Sequence, residues 1–177
     1  VLGLDDQGNV LAWEVTYYQN AGSAADLAPA ILERTLFHAT GSYAIPNVRA
    51  TGLSCRPNLP PFTAFRGFGG PQAMFVMESA IAAAARELGV PARELQRRNL
   101  LREGSVFPYG MTAENCQAGR CWDEVDRRHD LAGLAHAAAE HNAAHAATKR
   151  GVAVMPVCFG ISFTNTMLNQ AGALLHV

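Results

Sequence analysis

No run of this 177-residue sequence approaches the roughly 20 consecutive apolar residues of a membrane helix. Its start lacks the basic-then-apolar layout of a signal peptide. Charge of one sign is equally scarce, with 14 Lys and Arg against 15 Asp and Glu and a net charge of −1. Without a basic run or a basic-aromatic stripe, neither nucleic acid nor an anionic membrane is expected as the main partner. Cysteine is sparse as well: Cys55, Cys116, Cys121 and Cys158 are scattered, and only Cys116 and Cys121 are close. A lone C-x4-C, without a second pair or a nearby histidine pair, gives neither a disulfide framework nor a zinc set. Reduced, partly buried thiols in a soluble cytoplasmic protein are the expectation. What remains is small-molecule chemistry or protein contact, in a chain whose 49% apolar content suffices for a real core.

Turn chemistry at Asp5-Asp6-Gln7-Gly8-Asn9, followed by the β-branched and aromatic run from Val10 to Tyr18, predicts a hairpin. Apolar residues between Ala24 and His38 recur at helical spacing, with Ser23 as a candidate N-cap; Pro29 either opens this helix or kinks it. A strand is expected within Tyr43 to Ser54, a helix from Pro71 or Met74 to Leu88, and a short helix from Val90 to Leu101. Residues 102 to 119 show no period and predict a long loop, followed by helices over Cys121 to Arg128 and Leu131 to Lys149. Gly151 to Thr164 reads as a strand, with Pro156 pointing to an edge or a bulge. Elements mix without a strict βαβ repeat, so the class expected is α+β, a mixed sheet with packed helices. The absence of an initiator methionine and the strand-like ending at Val177 suggest a piece of a larger protein.

The sharpest local feature is the loop Thr63-Ala64-Phe65-Arg66-Gly67-Phe68-Gly69-Gly70-Pro71-Gln72. Its glycines allow positive φ or close approach of a ligand to bare backbone, and it feeds a helix N-terminus that favours an oxygen-rich or anionic group. Arg66 adds a cation. Of the two phenylalanines, Phe68 is the one expected to stand against a ligand, and Phe65 the one expected in the core. Arg34, among apolar neighbours, is either a solvated cation paired with a carboxylate or a cation aimed into a cleft. His141 and His145 share a helical face with His136 and read as a polar surface rather than a metal pair. The polar cluster Asn165, Thr166, Asn169 and Gln170 reads equally as turn formers or as site residues.

Residue for residue, that glycine loop resembles the one in the xanthine dehydrogenase and aldehyde oxidase family of molybdenum hydroxylases. Further segments are similar to that family in the right order: Glu33-Arg34-Thr35-Leu36-Phe37-His38, Ile45-Pro46-Asn47-Val48-Arg49, Arg120-Cys121-Trp122-Asp123-Glu124, Phe159-Gly160-Ile161-Ser162-Phe163-Thr164 and Leu168-Asn169-Gln170-Ala171-Gly172-Ala173. The resemblance implies that residues 1–177 are one domain, a fragment of the large molybdenum-cofactor-binding region without a complete active site. It implies a molybdenum-pterin cofactor in the full protein, with iron-sulfur clusters and FAD on a partner subunit or domain that passes electrons to NAD. By the same resemblance Arg66, Gly67, Phe68 and Gly69 approach the cofactor, and no residue here ligates metal directly. Phe68 and Phe163 meet the substrate ring by face and by edge, Thr164 contacts the substrate, and Arg34 meets negative charge developing on a purine oxygen. Aldehyde oxidases generally lack that cation, which favours hypoxanthine or xanthine. Another loop with a substrate-binding glutamate would lie before Val1 and the catalytic glutamate after Val177, leaving Glu33, Glu78 and Glu124 structural and the isolated chain inactive. The alternatives are an aldehyde oxidase-like or other N-heterocycle hydroxylase, or a non-catalytic module that kept the fold.

Overall fold

Asp5 organises the first turn by accepting from the backbone of Gln7 and Asn9 at 3.0 and 2.8 Å and from the Asn9 side chain at 2.8 Å. In the computed structural model, which describes residues 1–176, this turn joins β1 (Leu2–Leu4) to β2 (Val10–Asn20) as an antiparallel pair, with Leu2 opposite Trp13. The predicted hairpin is present. Along β2, Trp13, Val15 and Tyr17 turn inward while Glu14, Thr16 and Tyr18 face out, the period-two signature of a half-covered strand. β3 (Asn47–Cys55) runs parallel to β2, from Asn47 beside Ala12 to Cys55 beside Asn20, giving the order β1-β2-β3.

The crossover between β2 and β3 carries α1 (Ala28–Phe37), with Pro29 in its first turn, where a missing N–H costs nothing. Ser23 is not its cap; the N-cap is Leu27, without a side-chain hydrogen bond. α2 (Gly70–Leu88) buries Met74, Met77, Ile81 and Ala85, one residue per turn, and Gly89 closes it in the left-handed conformation. The main core joins Met77, Ile81 and Ala85 to Val10, Trp13, Tyr43, Ile45, Leu95 and Leu100. α3 (Ala92–Asn99) packs on α2, and α4 (Ala118–His129) adds the buried Trp122. α5 (Leu131–Ala144) starts at Asp130, whose carboxylate accepts from the Gly133 N–H at 3.0 Å. It stops short of the predicted Lys149: the backbone turns extended at His145, and the Lys149 ammonium folds back onto the carbonyls of Asn142 and His145, at 2.7 and 2.8 Å. The α+β class with a mixed sheet is borne out.

Three local expectations are corrected. Residues 151–164 form no strand. No described strand pairs with them, and side chains satisfy their backbone piecemeal, beginning with the Gln96 amide on the Val154 carbonyl at 2.8 Å. Phe65 is 84% exposed rather than in the core, and it is Phe68 that packs, against Phe163. Cys55 and Cys121 are exposed, whereas Cys116 and Cys158 are half-buried as expected, and all four are free.

A buried polar knot ties the core to the 151–164 segment. The Tyr43 hydroxyl donates to Glu78 at 2.6 Å and the Gln96 amide to its other oxygen at 2.7 Å. Burial pushes the Glu78 carboxyl above its ordinary range, and the two donors work against that shift. A carboxyl raised in the folded state stabilises the fold below its unfolded pKa and loses that contribution as pH rises through the folded value. Tyr43→Phe in the full-length protein is therefore expected to cost about 1–3 kcal/mol at neutral pH. The cost shrinks toward pH 4, where Glu78 is neutral; urea unfolding at both pH values measures it.

Candidate functional site

Three segments converge: the C-terminal half of α1, the glycine loop, and residues 159–164. Helical spacing stacks Arg34 and His38 one turn apart on the same face. Arg34 is only 4% exposed. Its guanidinium donates to the carbonyls of Gly160, of Ile161 at 3.1 Å and of Ser162 at 2.6 Å, while its buried Nε–H has no partner. No carboxylate pairs with it among the described residues. The solvated, carboxylate-paired reading of Arg34 is thereby overturned. Burial lowers its pKa without a counter-charge to oppose the shift.

The loop packs tightly under α1. Gly67 and Gly69 have φ of 93° and 94°. A Cβ at Gly69 would fall on the Ile31 carbonyl oxygen and crowd the Thr35 hydroxyl. That buried hydroxyl lies 3.1 Å from the carbonyl oxygens of both Ile31 and Gly69, tying helix to loop. Phe68 itself takes φ of 47°, a region costly for an aromatic residue. The loop offers fewer free donors than its sequence implies, because the Phe68 and Gly70 N–H groups turn inward to the carbonyls of Phe65 and Gly67, at 2.9 and 3.0 Å.

The half-buried Phe68 ring meets Phe163 edge to face, with centroids 5.3 Å apart and planes at 85°. The Arg34 guanidinium carbon lies 5.4 Å from the Phe68 centroid and 5.3 Å from that of Phe159. Thr164 spends its hydroxyl on Glu33, at 2.5 Å. Asn169 clasps Phe163 in both directions, at 2.8 and 2.9 Å, and Asn165 caps the short 3-10 turn Thr166–Leu168 through the Met167 N–H at 3.1 Å. These polar residues are turn formers. A cavity of about 280 Å³ opens beside the convergence, lined by Arg34, His38, Tyr109, Phe159, Ser162 and Thr164.

Arg34, Phe68, Phe163 and Thr164 thus stand together, while Arg66 stands apart. Arg66 is exposed, without a protein partner among the described residues, at a separate groove of about 660 Å³ shared with Gly67, Pro71, Phe75, Val157 and Phe159. An unengaged guanidinium beside glycine backbone and apolar faces fits an organic cofactor with anionic oxygens. No three His, Cys, Asp or Glu side chains gather among the described residues. His141 and His145 stack on each other at 4.0 Å. Sequence reasoning missed His38 and Glu33 as partners of residues 160–164; the i,i+4 step from Arg34 was the available signal for His38.

The chain thus joins a glycine loop wedged under a helix to a buried cation and an aromatic pair, and residues 1–100 match the molybdopterin cofactor-binding domain family. The chain belongs to that family. It is 43% identical over 176 residues to the xanthine dehydrogenase/oxidase of Felis catus, covering 99% of this chain and 13% of that protein. Xanthine dehydrogenase of Oryza sativa subsp. japonica is likewise 43% identical, with the same coverage of 99% and 13%. Aldehyde oxidoreductase from Desulfovibrio gigas superposes with a TM-score of 0.73 at 27% identity, over 78% of this chain and 15% of that one. The chain spans about 13% of the length of the xanthine dehydrogenases it matches. No helix among the described residues is long and apolar enough to cross a membrane.

Proposed function

We propose that this chain forms the substrate-facing wall of a xanthine dehydrogenase-type molybdenum hydroxylase that converts hypoxanthine and xanthine to urate. The observation that carries the reading is Arg34: a buried guanidinium without a carboxylate, with one unpartnered N–H, beside two aromatic rings. An uncompensated buried cation is costly, and a ligand that develops negative charge beside it recovers that cost in the transition state. Phe68 offers its face and Phe163 its edge to a planar ring. With the Thr164 hydroxyl held by Glu33, the Thr164 N–H is the group left for the substrate. Phe68 and Phe163 now touch, so a ring lying on Phe68 displaces the Phe163 edge.

Arg66 and the backbone of Gly67, Phe68 and Gly69 would hold the molybdenum-pterin group, whose own ligands carry the metal. When bound, that group supplies the oxidative hydroxylation of an electron-poor ring carbon. The proton acceptor comes from outside this chain, because its candidate carboxylates are engaged: Glu33 by Thr164, Glu78 by Tyr43 and Gln96, and Glu124 by Arg127 and Arg128. Electrons leave through iron-sulfur clusters and FAD on a partner subunit or domain. A second reading, oxidation of an aldehyde, draws on the likeness to the aldehyde oxidoreductase fold, but it leaves the Arg34 charge without a use.

The test compares the full-length protein with residues 1–177 alone. The full-length protein is expected to form urate from xanthine. The isolated chain is expected to form none and to retain no molybdenum through purification. Molybdenum bound to the isolated chain would contradict the incomplete-site reading, and failure of the full-length protein to use xanthine would overturn the purine assignment.

A further inference from the structure

Arg34 of α1 and His38, the residue that caps its C-terminus, grip the backbone of residues 160–162. Arg34 takes the three carbonyls, and His38, one turn on, takes the amide: the Gly160 N–H points to His38 Nε2 at 3.2 Å. The other ring nitrogen, Nδ1, lies 2.7 Å from the Arg34 carbonyl oxygen. A carbonyl only accepts and an amide N–H only donates, so Nδ1 carries the proton and Nε2 is bare. The two contacts select a single neutral tautomer. The imidazole also rests against Phe159, with centroids 5.0 Å apart. Phe163 and Thr164 follow within the same segment.

We propose that His38 is a positioning residue for the substrate wall: as the neutral Nδ1–H tautomer it holds the Gly160 amide and so fixes where Phe163 stands against Phe68 and where Thr164 follows it. This rests on the reading that Phe68, Phe163 and Thr164 face the substrate. A proton on Nε2 would set two N–H groups against each other and place a second positive charge beside Arg34. The titratable groups around the imidazole are Arg34 on its own helix and, across the shared cavity, Tyr109 and Cys158; no carboxylate lines that cavity to favour the charged ring. Burial raises the pKa values of both Tyr109 and Cys158, keeping them neutral near pH 7. Burial lowers the His38 pKa, the bond to the Arg34 carbonyl opposes this, and the Arg34 charge adds to the lowering. A base depressed in the folded state contributes fully above its ordinary value near 6.5, and loses the contribution as pH falls through the depressed value.

The experiment uses the full-length holoenzyme with His38→Phe, which keeps the ring against Phe159 but cannot accept, and His38→Gln, whose amide oxygen can accept but does not titrate. Amide hydrogen exchange over residues 157–163, taken as a ratio to wild type at each pH, is expected to speed about tenfold in His38→Phe and little in His38→Gln. KM for xanthine is expected to rise about tenfold in His38→Phe with kcat changed less than about threefold. The acid limb of kcat/KM due to this histidine is expected in wild type and absent in His38→Gln. Wild-type exchange and KM in His38→Phe, or an unchanged acid limb in His38→Gln, overturns the proposal. If His38→Phe does not fold, the pH dependence of exchange in wild type against His38→Gln decides. The exchange readout needs no turnover, so it stands apart from any failure of the purine assignment.

Discussion

Replacing Arg34 with methionine in the full-length protein is expected to lower kcat/KM for xanthine about 100-fold or more, while turnover of an aromatic aldehyde falls less than about tenfold. Methionine keeps most of the buried stem and removes only the guanidinium. The asymmetry follows from what each substrate asks of a cation: an oxopurine accumulates negative charge on an exocyclic oxygen remote from the attacked carbon, and an aldehyde does not. Arg34 also anchors three carbonyls of residues 160–162, and that anchoring is common to both substrates. The smaller, shared loss therefore reports the anchor and the excess loss on xanthine reports the charge. Steady-state kinetics on the two substrates separates them. Equal losses would reduce Arg34 to a structural pin, and Arg34→Lys, which restores charge without the fork, should recover part of the xanthine-specific loss only if charge matters.

Gly69→Ala is expected to destabilise the fold by about 3 kcal/mol or more. Two costs combine. The backbone there has φ of 94°, outside the range an alanine tolerates, and the added Cβ would meet the Ile31 carbonyl oxygen, a main-chain atom of α1 that cannot step aside. Relief requires the loop to leave α1, breaking the Thr35 link and carrying Phe68 away from Arg34. The variant should show a lower thermal midpoint, or accumulate as insoluble protein, with folded molecules also impaired in xanthine binding. Gly104→Ala, where nothing lies within contact distance and only a positive φ of 78° opposes a side chain, is the milder comparison.

The legible part of the molecule was its local chemistry. Turn residues at Asp5 to Asn9, the helical spacing of Met74, Met77 and Ile81, and the glycine stop at Gly89 all specify their elements within a few residues, so the sequence contains the whole cause. Residues 151–164 failed for the opposite reason: a strand exists only with a neighbour, and β-branched content cannot say whether one is available. Phe65 failed likewise, because alternation around a glycine loop does not reveal which ring its turns direct outward. At the site, resemblance singled out Arg34, Phe68, Phe163 and Thr164, and their convergence is a tertiary fact that brings together positions 34 and 160, which lie 126 residues apart. His38 escaped notice because a histidine at a helix end is ordinarily a cap; its i,i+4 step from Arg34 hinted at a shared face, and its bond to the Gly160 amide gives that face a partner.

The central claim is that one wall of a purine site is assembled from α1, the glycine loop and residues 159–164. The most direct measurement is a crystal structure of the full-length protein with a bound purine. The account predicts the ring lying on the face of Phe68, the Phe163 edge displaced but still against it, and a purine oxygen within hydrogen-bond distance of Arg34. A purine bound elsewhere, with the guanidinium donating only to the 160–162 carbonyls, would contradict it.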